Sequence, residues 1–175
     1  MPKFHLKGSW HLISKAEVQR LAFTTRLGIE TVQKDWALGW MLFGLSSTEG
    51  WIESLVFKGG TAIKKCYDPE YRFSDDLDWT ARESLSLDRL VSLVRAAIDK
   101  ASSTGGIQLR LDARDVEITP NGTMQIKVQF LGPLGALGSV RTLPKIKLDV
   151  TSAKQEAIVR PILNRRILHG RSPPR

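Results

Sequence analysis

The sequence predicts an α+β fold with a mixed, largely antiparallel sheet. Three observations carry it: two helical patterns occupy residues 14–45, one clear amphipathic helix follows Ser86, and alternating apolar residues then run through three strands and a fourth. Helices first and paired strands afterwards give an open sheet with helices packed on it.

Residues 1–13 have no clean period and read as an irregular arm. Ser14 suits an N-cap, with Glu17 three residues on as its capping-box partner and Val18, Leu21 and Ala22 on one face of the helix. Gly28 breaks that run. A second helix follows from about Glu30, with Val32, Trp36, Trp40 and Phe43 at helical spacing. Its end, Ala37 to Leu45, is apolar nearly all round, which suggests burial against the sheet or against a part of the protein no longer present. Aromatics so spaced read as core residues, with a partner or base-stacking surface as the alternative.

A turn at 46–50 leads to a strand near Ser54–Phe57, and a short helix then runs to about Tyr67, where Asp68-Pro69 ends it. Ser86 caps a helix whose Leu87, Leu90, Val91, Val94 and Ile98 share a face, stopping at Gly105-Gly106. Ile107, Leu109 and Leu111 alternate, as do Val116 and Ile118. Pro120-Asn121-Gly122 turns the chain into Met124, Ile126, Val128 and Phe130, which predicts a hairpin. The glycine-rich loop 132–139 is expected to be mobile at the rim of a site. In the last strand Ile146, Leu148 and Val150 face one way, and Lys145, Lys147 and Asp149 the other.

The chain is organised around residues 56–80. If Leu77 and Trp79 point into the core, a period of two sends Asp76, Asp78 and Thr80 to the opposite face. Carboxylates that close repel unless a cation neutralises them, and hard oxygen ligands suit Mg²⁺ or Mn²⁺. Upstream, Gly59 and Gly60 let the backbone approach a ligand, and a helix starting near Thr61 turns free N–H groups towards it, which suits phosphate. Lys58, Lys64 and Lys65 add positive charge nearby.

The segments FKGGTAIKKCY, YRFSDDLDWT and IKLDVT together resemble the AbiEii/AbiGii-type nucleotidyltransferase toxins of abortive-infection and toxin–antitoxin systems, over roughly residues 53–152. The resemblance implies a nucleotidyltransferase-type core. It implies that Gly59, Gly60 and Thr61 hold a nucleoside triphosphate, and that Asp76 and Asp78 bind metal with Asp149 as the third aspartate; Asp149 is also a candidate general base. Arg72 and Ser74, just before the acidic cluster, and Lys58, Lys147 or Lys145 are then candidates for phosphate contacts. The activity implied is transfer of a nucleotide from an NTP to an RNA (tRNA) or protein acceptor, in a protein with a cognate antitoxin. Members continue after the third aspartate into a helical region with an acid–lysine word and an arginine–aspartate word. Neither word is present, so the sequence is expected to be a core cut short, prone to self-association through the uncovered Ala37–Leu45 face. The alternative is an impaired module of the same fold that binds nucleotide or a partner without turnover.

Bulk properties bound these readings. The 175 residues suffice for one compact domain, divided for description into a helical segment (1–52), the nucleotidyltransferase-like core (53–160) and a basic tail (161–175). No apolar run is long enough to span a membrane and the N-terminus lacks a signal-peptide pattern, so a cytoplasmic protein is expected. Cys66 is the single cysteine and no Cys/His spacing suggests zinc. The net charge of +8 is uneven: residues 1–140 hold 17 basic and 16 acidic side chains, whereas residues 141–175 hold 9 and 2. That excess suits phosphate-rich partners or a solvated tail. A nuclease is disfavoured because no Asp is followed by an Asp/Glu-x-Lys word. A D-x-D glycosyltransferase is disfavoured because it has no need of Gly-Gly-Thr.

Overall fold

In the computed structural model, residues 13–105, 107–134 and 143–152 are described. Helix α1 (Lys15–Thr25) starts with the expected capping box: Glu17 N–H donates to the Ser14 hydroxyl, and the Glu17 carboxylate accepts from Ser14 N–H at 2.8 Å. Val18 and Ala22 are buried, but Leu21 lies 37 % exposed, because α1 meets α2 along a narrow strip centred on Val32. The helix ends on Arg26 in a left-handed conformation, and Gly28 serves as N-cap of α2 (Ile29–Ser46) instead of as the terminator of α1.

The apolar end of α2 is covered from within the chain. Ala37, Leu38, Trp40, Met41 and Leu45 join one core cluster with Leu90, Val94 and Ala97 of α5 (Leu87–Gly105) and with the sheet. Gly44 is required at this crossing, since a Cβ there would overlap the Ala97 carbonyl. The reason for expecting association through Ala37–Leu45 therefore falls away. Ser86 caps α5 as expected, its hydroxyl accepting from Arg89 N–H at 3.2 Å.

A short helix, α3 (Trp51–Ser54), precedes β1 (Leu55–Lys58), so the strand begins one residue later than expected. Helix α4 (Gly59–Ala62) opens at the Gly-Gly-Thr word, two residues before Thr61, and continues as a π-helical turn over Ile63–Tyr67. The strands β2 (Asp76–Ala81), β3 (Gln108–Arg110), β4 (Val116–Ile118), β5 (Met124–Leu131) and β6 (Lys145–Ser152) complete a six-stranded sheet. Its order is β1-β2-β6-β5-β3, with β4 also on β5. A 3₁₀ turn, Ala113–Asp115, separates β3 from β4 and has no signal in the apolar alternation. The β4–β5 hairpin forms as expected, although Ile118 is 59 % exposed at its tip.

The sheet is mixed because β2 and β6 run parallel while the other pairings are antiparallel. Leu77, Trp79, Ile126, Val128, Ile146, Leu148 and Val150 face α2 and α5. The opposite face carries the alternate, polar residues. Most of the loop expected to be mobile, from residue 135 on, lies outside the described residues, as does the basic tail. Among the described residues no helix is long and apolar enough to cross a membrane.

Candidate active site

Strand register assembles the site. Lys58 of β1 is the cross-strand partner of Asp78 in β2, Asp78 of Asp149 in β6, and Asp149 of Gln125 in β5. One step along the strands, Asp76 pairs with Lys147. Because Leu77, Leu148 and Val150 are fully buried, period-two alternation turns Asp76, Asp78, Lys147 and Asp149 out of the core together.

The contacts are specific. Lys147 Nζ bridges two carboxylates, 3.2 Å from Asp76 Oδ2 and 2.9 Å from Asp149 Oδ2. Gln125 Nε2 donates to Asp149 Oδ1 at 2.9 Å, so both oxygens of Asp149 are held. Lys58 Nζ donates to the Thr151 hydroxyl at 3.0 Å, and Thr151 lies 3.3 Å from the Thr80 hydroxyl. Asp78 has its carboxylate against the Cα of Gly59, and a Cβ at residue 59 would overlap it. Burial, and then the nearby charges of Asp149 and Asp76, raise the Asp78 carboxyl above its ordinary value, with Lys58 and Lys147 opposing. Hydrogen bonds to Asp149 and Asp76 hold the Lys147 ammonium above its ordinary range against a desolvation cost.

The other expected residues make these contacts within the chain. Thr61 is 2 % exposed, and its hydroxyl donates to the Asp76 carbonyl at 2.6 Å, locking α4 to the start of β2. Gly60 packs against Ser74, whose side chain a Cβ at residue 60 would meet at 3.0 Å. Arg72 is exposed and makes its contacts along its own loop, 3.5 Å from the Phe73 carbonyl and 5.8 Å from the Tyr71 ring. Lys64 was expected to add positive charge at the Gly-Gly-Thr turn. It instead ties down the 69–73 loop through the Pro69 and Tyr71 carbonyls and the Phe73 ring. Lys65 pairs with Asp35 of α2 at 2.7 Å. Lys145 donates to Asp115 rather than facing the aspartates.

Gln125 and Thr151 also belong to the site, though neither stands out in the sequence. Both lie on the polar alternation of their strands, but their roles needed the β5–β6 and β2–β6 pairings. An open pocket lies beside Asp149, walled by Thr119, Pro120, Asn121, Thr123 and Gln125 of the β4–β5 hairpin.

The donor set suits a hard divalent cation: three carboxylates share one face, and burial together with the charges of Asp149 and Asp76 disfavours the ionised form of Asp78. Among the described residues no group of three His, Cys, Asp or Glu side chains is drawn together closely enough to hold a metal ion as placed. Lys147 stands between Asp76 and Asp149 instead.

In this α+β protein a glycine turn packs on the D-x-D strand and a third aspartate stands on the parallel neighbour, which gathers the three carboxylates on one polar face of the sheet. The chain belongs to the nucleotidyl transferase AbiEii toxin family of type IV toxin–antitoxin systems, whose model matches residues 40–166. No protein of curated function matches it. Among solved structures it is similar to JHP933 from Helicobacter pylori, at 19 % identity and a TM-score of 0.48, over 73 % of this chain. The matched part spans 46 % of that protein's length.

Proposed function

We propose that this chain is the nucleotide-handling core of a nucleotidyltransferase that moves a nucleoside monophosphate from an NTP to an RNA, such as tRNA, or to a protein acceptor. The observation that carries this reading is the register of Asp78 with Asp149, beside Asp76 and against the Gly59 turn, in a member of the AbiEii family. Asp76, Asp78 and Asp149 are the residues that would hold Mg²⁺ or Mn²⁺. Such ions, when bound, neutralise phosphate charge and ease deprotonation of a hydroxyl. A cognate antitoxin and a cytoplasmic setting belong to the same proposal.

The chain's own residues orient the reaction. The N–H groups at Gly59 and Gly60 open α4 next to the carboxylates and suit the triphosphate, with Lys58 and Lys147 as its nearest ammonium groups. The acceptor hydroxyl enters by the pocket between the hairpin tip and Asp149. Its oxygen bonds the α-phosphorus while the bond to the bridging oxygen breaks. Pyrophosphate leaves with that electron pair, and the hydroxyl proton passes to Asp149. Gln125 keeps the Asp149 carboxylate facing the pocket. Thr61 and Ser74 shape the turn, and the exposed Arg72 beside it is a further candidate for a phosphate contact.

The test is incubation of the chain with labelled NTPs, Mg²⁺ and cellular RNA or protein. Label should pass to one acceptor and disappear with Asp76→Ala/Asp78→Ala. Transfer unaffected by that double change would overturn the assignment.

A further inference from the structure

We infer that Lys147 is a built-in counter-cation that keeps the carboxylates in register in the metal-free protein and is handed over to the triphosphate when metal binds. The inference rests on the proposed metal and nucleotide site and deepens it. A single ammonium satisfies Asp76 Oδ2 at 3.2 Å and Asp149 Oδ2 at 2.9 Å, so it stands where a cation shared by those two carboxylates would stand. Its side chain is 34 % exposed and sits on a flexible four-carbon stem, so the charged head has somewhere to move. Lys58, the cross-strand partner of Asp78, donates to the Thr151 hydroxyl on the next row of the sheet.

A divalent cation taken up by Asp76 Oδ2 and Asp149 Oδ2 would compete with the ammonium for those same two oxygens and repel it at short range in a partly desolvated site. Metal binding therefore displaces Lys147, and the nearest new anion is the phosphate chain above the Gly59 turn. Lys147 accordingly opposes metal binding in the free protein and favours nucleotide binding in the metal-loaded one. The two effects have opposite signs. A residue that merely braced the fold would weaken both on removal.

The experiment is calorimetric titration of Mn²⁺, and then of an NTP in saturating Mn²⁺, into the 175-residue chain and its Lys147→Met, Lys147→Gln and Lys147→Arg variants. Removing the charge should tighten Mn²⁺ binding by about three- to tenfold, the scale of a part-exposed ion pair. It should weaken NTP binding by about tenfold, through loss of a charge-assisted contact. Lys147→Arg should stay near wild type in both. In the wild type, a readout that needs no variant is acetylation of Lys147 followed by mass spectrometry, which should be slow without metal and faster with Mn²⁺. Mn²⁺ binding that is unchanged or weaker without the lysine charge, or labelling that does not rise with Mn²⁺, would overturn the handover and leave the metal site standing. Mn²⁺ binding to neither wild type nor variants would remove the metal site itself.

Discussion

The carboxylate of Asp78 occupies the space where a side chain on Gly59 would begin. Gly59 also has φ +75°, a left-handed conformation that a Cβ makes costly. The glycine of the turn and the aspartate of the strand thus form one fitted contact between two elements some twenty residues apart. Gly59→Ala should lose about 1–3 kcal/mol of stability and abolish Mn²⁺ binding, as urea unfolding and calorimetry would report. Gly60→Ala has ordinary backbone angles and meets the Ser74 side chain at a tighter than usual 3.0 Å, so it should cost less. Equal losses would mean that the Gly59–Asp78 contact has no special weight.

Asp78 is held in surroundings that disfavour its charge, first through burial and then through Asp149 and Asp76. A carboxyl whose folded-state pKa is raised destabilises the fold once it is ionised. That penalty is present above the raised value and is relieved as pH falls through it. Asp78→Asn should therefore stabilise the metal-free chain near neutrality, by no more than about 0.5 kcal/mol once solvent screening of this part-exposed group is allowed for, with the gain shrinking on acidification, while removing transfer activity. Asp76→Asn differs because Asp76 is paired with Lys147, and it should not stabilise. Urea midpoints of the three proteins between pH 4 and 8 would check this, and a gain that grew on acidification would contradict it.

A second charged group works in the other direction. The Lys145 ammonium, 2.5 Å from Asp115, holds that carboxyl below its ordinary value, and Gln129 assists against the cost of burial. The resulting stability is full above the unfolded-state value of about 3.9 and is lost as pH falls through the lower folded-state value. Asp115→Asn should flatten this acid limb and cost about 1–2 kcal/mol at neutral pH. A parallel pH profile for the variant would show that the pair contributes nothing.

Local patterns carried much of this fold. The capping box at Ser14, the face of α5 and the alternation of β5 and β6 each announce an element, because burial on one side leaves a period in the residues. The carboxylate row was legible for the same reason: Leu77 and Trp79 had to be inside, so Asp76 and Asp78 had to be outside. Three features were not legible. The parallel pairing of β2 with β6 joins residues some seventy positions apart, and neither strand's own sequence names its neighbour. The commitment of Thr61, Lys64 and Lys65 to bracing contacts depends on loops that fold back over α4. The cover over Ala37–Leu45 comes from α5, a helix whose own sequence shows an apolar face but not what it packs on.

That last packing carries its own prediction. Trp40 is 2 % exposed, belongs to the shared core and packs edge-on against Phe43 at 5.8 Å between centroids. It is therefore a residue of this chain's interior, where a large-to-small change leaves a cavity. Trp40→Ala should cost about 3–5 kcal/mol and lower the urea midpoint steeply. An aromatic held instead at an interface between copies would affect association before it affected folding. Light scattering over a range of concentrations, beside urea unfolding of wild type and Trp40→Ala, separates the two. A variant that unfolds as the wild type does but changes its association state would return this face of α2 to the surface. Loss of stability with no change in the wild type's mass across concentrations would keep it in the core.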